Sequence, residues 1–98
     1  GAIGIITNEG NETLVTTLPE THIALIGVEK IVPTLTEALD VINILPKNAT
    51  GQKITSYVSF IKGAAGTGRE MHIVLLDNGR LKLAADPDFH EALKCVKC

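Results

Sequence analysis

Two short, unbroken aliphatic runs constrain this chain more than any other feature: His22 to Gly27 and Met71 to Leu76. Runs of this kind, bounded by turn-forming residues, read as strands buried on both faces, because a strand with one wet face alternates apolar with polar side chains. Between them lies a segment with helix grammar. Thr34 and Glu37 form a capping-box pattern, and Leu35, Ala38, Leu39, Ile42 and Leu45 recur at helical spacing until Pro46 closes the run. Buried strands joined through a helix predict a layered α/β fold, with a parallel or mixed sheet of about four or five strands covered by helices.

The other segments fit around that frame. Residues 2–7 read as a strand, and Asn8-Glu9-Gly10-Asn11-Glu12 as the loop after it. Leu14 to Leu18, rich in Thr and Val and stopped by Pro19, reads as a second extended segment, with a helical turn as the alternative. Residues 47–53 read as a loop, Ile54 to Ile61 as a strand, and the glycine-rich stretch 63–68 as a connection. Asn78-Gly79 predicts a type I′ hairpin leading into Leu81-Lys82-Leu83, since both turn residues accept positive φ. Asp86-Pro87 then reads as N-cap and first residue of a helix carrying Phe89, Ala92, Leu93 and Val96 on one stripe.

Ninety-eight residues with 45% apolar side chains suit one modest domain. The single helix and the short C-terminal one cover little of such a sheet. The chain is therefore expected to associate with itself or with further parts of the same polypeptide, and its opening at Gly1 rather than Met fits a start that lies elsewhere. Eleven acidic against nine basic residues, with no basic run and only Tyr57, Phe60 and Phe89 as aromatics, argue against a nucleic-acid partner. The apolar runs are far shorter than the roughly 20 residues of a membrane span.

The chemistry concentrates at the C-terminal end. Cys95 and Cys98 are the only cysteines, and thiolates at i and i+3 can face one metal centre. The spacing matches the opening of a bacterial iron-sulfur run, but both a four-iron cluster and a structural zinc take four ligands, so the pair needs further donors. A redox dithiol of the thioredoxin type usually opens a helix, where the dipole lowers the thiol pKa; this pair is expected to close one. Two idle thiols are the plain alternative.

Glu9 and Asn11 hang off the end of the first strand, where open α/β sheets gather ligand-binding groups, although a simple turn explains the same residues. The loop at 63–68, flanked by Lys62 and Arg69, lacks the ending of a phosphate-binding P-loop and the spacing of a dinucleotide fingerprint. His22, His72 and His90 share no spacing, and no serine sits in a nucleophile-elbow context.

Several short stretches in serial order carry a resemblance: Thr7-Asn-Glu-Gly-Asn11, Thr16-Thr-Leu-Pro19, His22-Ile-Ala-Leu-Ile-Gly27, Glu29-Lys-Ile-Val-Pro33, Leu75-Leu-Asp-Asn-Gly-Arg80, and Ala85-Asp-Pro87 through Glu91-Ala-Leu-Lys-Cys95. Together they resemble the iron-sulfur subunit family of bacterial lactate utilization, lactate utilization protein B, with its LUD domain. The resemblance implies that residues 1–94 are the C-terminal half of that domain, a Rossmann-like α/β fold similar to the sugar-phosphate isomerase and CoA-transferase group. Residues 95–98 would then begin a ferredoxin-like region, with Cys95 and Cys98 as the first cluster ligands of the intact protein.

It further implies 4Fe-4S clusters in the parent, electron transfer during oxidation of L-lactate to pyruvate, lactate utilization proteins A and C as partners, and a cytoplasmic location. The piece alone would be inactive and hold no cofactor. A small-molecule binding domain for an organic acid or phosphorylated ligand, with a structural or assembly role, is the alternative. No catalytic residue carries over; Glu9 and Asn11 match the family's most recognisable loop and are the ligand-facing candidates.

Overall fold

The computed structural model describes residues 1–95. In chain order the elements are β1 (Ile3–Thr7), α1 (Asn11–Thr17), β2 (Thr21–Gly27), a 3-10 turn at Val28–Lys30, α2 (Leu35–Thr50), β3 (Tyr57–Ile61), β4 (Glu70–Leu76), α3 (Arg80–Ala84) and a second 3-10 turn at His90–Lys94.

The strands form two separate pairs rather than one sheet of four or five. β1 and β3 run antiparallel, with Ile3 opposite Ile61 and Thr7 opposite Tyr57. The two aliphatic runs, β2 and β4, pair in parallel from Thr21 opposite Glu70 to Gly27 opposite Leu76. A parallel pair needs a long crossover, and α2 and β3 lie within it. The α/β class and the parallel pairing thus match the expectation, while the single layered sheet does not form among the described residues.

Nor are β2 and β4 buried on both faces. Ile23 and Leu25 are 64% and 65% exposed, Ile73 54% and Leu75 52%, and no apolar side chain among the described residues forms a buried core. The Cα radius of gyration is 15.0 Å, with extents of 47 × 32 × 20 Å, against about 13 Å for a compact chain of this length. A strand pair with apolar residues on both faces needs a covering layer on each, and the 98 residues provide neither.

Four local expectations are corrected. Residues 14–17 are helical, in α1, rather than extended. The Thr16 hydroxyl donates to the carbonyl of Glu12 at 2.8 Å, and that of Thr17 to the carbonyl of Thr13, so these threonines bond back along a helix instead of filling a pleat.

The helix that Pro46 was expected to end continues to Thr50. Its capping box is present, with Glu37 N–H donating to Thr34 Oγ1 at 3.3 Å and Thr34 N–H donating to Glu37 Oε2 at 3.1 Å. Proline removes one donor, but its carbonyl still accepts, from Gln52 N–H at 3.2 Å. The helix stops at Gly51, whose φ of 72° suits a residue without a Cβ.

Asn78 and Gly79 do take positive φ, 42° and 81°, yet no hairpin follows. Asp77 accepts from Arg80 N–H through its carbonyl at 2.9 Å and from Leu81 N–H through Oδ1 at 2.7 Å, which turns the chain into α3. Asp86 likewise caps, with Oδ1 accepting from Asp88 N–H at 2.9 Å and Phe89 N–H at 3.1 Å. What it starts is the short 3-10 turn at His90–Lys94 rather than a long amphipathic helix, and Phe89 is 63% exposed. Val96, expected on that stripe, lies outside the described residues.

Candidate functional site

At the end of β1 the structure brings Glu9 and Asn11 together. Asn11 Nδ2 donates to Glu9 Oε2 at 2.7 Å, and Glu9 N–H donates to Thr7 Oγ1 at 3.2 Å. Both side chains are exposed. The Tyr57 ring lies over Gly10 between them, close enough that a Cβ there would sit 3.6 Å from Cζ. Neighbouring Asn8 exchanges amide hydrogen bonds with Gln52 at 2.9 and 3.2 Å, tying the loop to the end of α2. Ser59 donates to Glu12 Oε1 at 2.6 Å, and the other oxygen of Glu12 is buried without a hydrogen-bond partner among the described residues. The loop is held by its own side chains, as a well-built turn would be.

A different arrangement occupies the carboxyl ends of β2 and β4, the place where parallel α/β sheets gather ligands. Chain leaving β2 supplies Glu29 and Lys30, and chain leaving β4 supplies Asn78, Gly79 and Arg80. With Leu83, Ala92, Leu93 and Cys95 they line an open cleft of about 310 Å³.

Arg80 Nε lies 2.6 Å from Glu29 Oε2, and Arg80 Nη1 donates to the carbonyl of Asp77 at 3.1 Å. The Glu29 carboxylate, only 12% exposed, packs across the Cα of Gly27, where a Cβ would collide with it. Partial desolvation pushes the Glu29 pKa up. The Arg80 hydrogen bond, a backbone hydrogen bond and the charges of Arg80 and Lys30 outweigh it, leaving the carboxyl below its ordinary value of 4.5.

Lys30 connects this cleft to the cysteine segment. Its Nζ donates to the backbone carbonyl of Cys95 at 2.9 Å and lies 3.8 Å from Glu29 Oε1. Cys95 is exposed and extended, immediately after the 3-10 turn. The cysteine expected to close a helical segment therefore does so, at the rim of the cleft; Cys98 lies outside the described residues. Glu9 and Asn11 are not part of the cleft wall.

Among the described residues, no group of three or more His, Cys, Asp or Glu side chains could hold a metal ion. His72 and His90 instead pair with neighbouring glutamates, at 3.2 and 3.1 Å. No helix among the described residues is long and apolar enough to cross a membrane.

Sequence reasoning passed over Glu29, Lys30 and Arg80. Their signal is positional: each follows closely on the carboxyl end of an aliphatic strand, and a parallel pairing of those strands puts both charged turns on one edge.

Comparison with known proteins agrees with the resemblance seen in the sequence. A LUD domain family model matches residues 1–82, which include every charged residue of the cleft. The chain is 44% identical to lactate utilization protein B of Shouchella clausii (strain KSM-K16) and 41% identical to that of Geobacillus sp. (strain WCH70). It is 39% identical to the uncharacterized electron transport protein YkgF of Escherichia coli (strain K12). Each alignment covers all of this chain but 22% of the relative, so the chain spans about a fifth of the length of these relatives. No solved structure matches. With most of its length matched by one family model, and with that family's motifs in serial order, the chain belongs to the LUD domain family.

Proposed function

We propose that this chain is part of an iron-sulfur electron-transfer subunit that works in the oxidation of L-lactate to pyruvate. Residues 1–94 form the C-terminal half of its LUD domain, Rossmann-like in the complete fold, and residues 95–98 begin the cluster-binding region. The relatives' names support a role in lactate utilization and electron transport.

The observation that carries the reading is the placement of Cys95. The first thiol of the Cys-x-x-Cys pair is exposed at the rim of the cleft, and its backbone is fixed to the LUD body by Lys30. The donor set fits half a centre: two thiolates at i and i+3 suit an iron-sulfur ligand run, and a four-iron cluster takes two more from other polypeptide. Cys95 and Cys98 would be the first ligands, and the bound cluster would supply one-electron transfer. The 98 residues alone complete no such site and are inactive. Lactate utilization proteins A and C are the proposed partners, in the cytoplasm.

The intact protein, purified anaerobically, is expected to be brown, with acid-labile sulfide and the visible absorption of iron-sulfur clusters. Cys98→Ser should lose iron while keeping the far-UV circular dichroism of the parent. A colourless, iron-free parent protein, or a variant with full iron content, would rule the reading out.

A second reading, a binding domain for an organic acid or phosphorylated ligand, draws on the cleft rather than on Glu9 and Asn11. Those two are satisfied by one another at 2.7 Å, whereas the cleft presents cations at the carboxyl edge of a parallel pair.

A further inference from the structure

We propose that the cleft beyond β2 and β4 binds a small monocarboxylate with a short apolar end, held by Lys30 and Arg80. Its volume of about 310 Å³ lies at the small end of the range for ligand sites. Its walls differ in character: Lys30 and Arg80 supply cations on one side, and Leu83, Ala92 and Leu93 supply aliphatic surface on the other. A free inorganic ion has no use for that second wall.

Charge selects the class further. Two cations face one resident carboxylate, Glu29, so the wall keeps one positive charge, which a monoanion neutralises and a phosphate dianion overshoots.

Donors remain for the ligand. Arg80 commits Nε to Glu29 and Nη1 to the carbonyl of Asp77, out of the five N–H groups of a guanidinium. Lys30 commits one of its three hydrogens to the carbonyl of Cys95. Glu29 already shows a carboxylate seated on this guanidinium at 2.6 Å, and the short 3-10 turn at Val28–Lys30 and the Asp77 cap fix both cations on adjacent turns.

The same cleft is lined by Cys95, so the acid would bind beside the cysteine segment. The adjacency to a redox centre rests on the function proposed above; the anion site itself does not.

Isothermal titration calorimetry of the intact protein with pyruvate and, separately, inorganic phosphate tests the proposal. Saturable one-to-one binding of pyruvate is expected, with phosphate much weaker. Lys30→Met and Arg80→Lys should each weaken pyruvate about tenfold or more, the scale of one charge-assisted hydrogen bond, with unchanged circular dichroism. The use of two variants guards against Arg80→Lys disturbing Glu29. No saturable heat with pyruvate, phosphate binding as tightly as pyruvate, or an affinity untouched by both substitutions would overturn it. Iron-sulfur absorption of the same samples reads the proposed function separately. Colourless protein that binds pyruvate sinks only the electron-transfer reading, and coloured protein that does not bind sinks only this one.

Discussion

Glu29 shows how one side chain acquires a role from its surroundings. Desolvation alone would favour its neutral form, but Arg80 at 2.6 Å and Lys30 at 3.8 Å keep it charged, and its pKa is lowered. A carboxyl whose folded pKa lies below its unfolded value stabilises the fold above the unfolded pKa, here 4.5, and that contribution is lost as pH falls through the folded value. Glu29→Gln should therefore lower the thermal midpoint of the intact protein at pH 7, with the gap to the parent closing below about pH 4; a gap independent of pH would contradict the pairing. Gly27 belongs to the same argument. A methyl group there strikes the Glu29 carboxylate, the movable end of a side chain, so Gly27→Ala should displace Glu29 from Arg80 while leaving β2 in place. Its pH profile should match that of Glu29→Gln.

At the scale of elements, local signals were legible where the deciding partner sits within a few residues. Thr34 and Glu37 close a capping box as their spacing predicts, and Thr34→Ala should cost about 1 kcal/mol in urea unfolding of the intact protein. Thr34→Ser should restore most of it. Where two local signals compete, the sequence misleads. Asn78-Gly79 satisfies the φ demands of a hairpin, but Asp77 captures Leu81 N–H at 2.7 Å and a helix results. Asp77→Ala should destabilise α3 by a similar amount, about 1 kcal/mol, and loosen Arg80, read as a smaller pH dependence of the thermal midpoint. Pro46 marks a missing donor, not a stop: the carbonyls around it remain usable, and α2 runs on to a glycine that can take φ of 72°.

For the whole molecule, the governing fact is apolar surface left in water. Ile23, Leu25, Ile73 and Leu75 are all more than half exposed, on both faces of the β2–β4 pair. The 98-residue segment expressed by itself should bind a hydrophobic dye and scatter light as more than a monomer, whereas the intact protein should do neither; a monomeric, dye-silent segment would refute this. The sequence by itself determined the chemical inventory and the local grammar: aliphatic strands, a capped helix, a cysteine pair at i and i+3, and the serial motifs of the LUD domain family. Those follow from residue type and short spacing, which are properties of the chain before it folds. Only the tertiary structure decided that β2 and β4 pair in parallel, separated from β1 and β3. That pairing draws Glu29, Lys30, Arg80 and Cys95 to one edge, because a contact between residues tens of positions apart depends on the path of the backbone, and no local pattern encodes it.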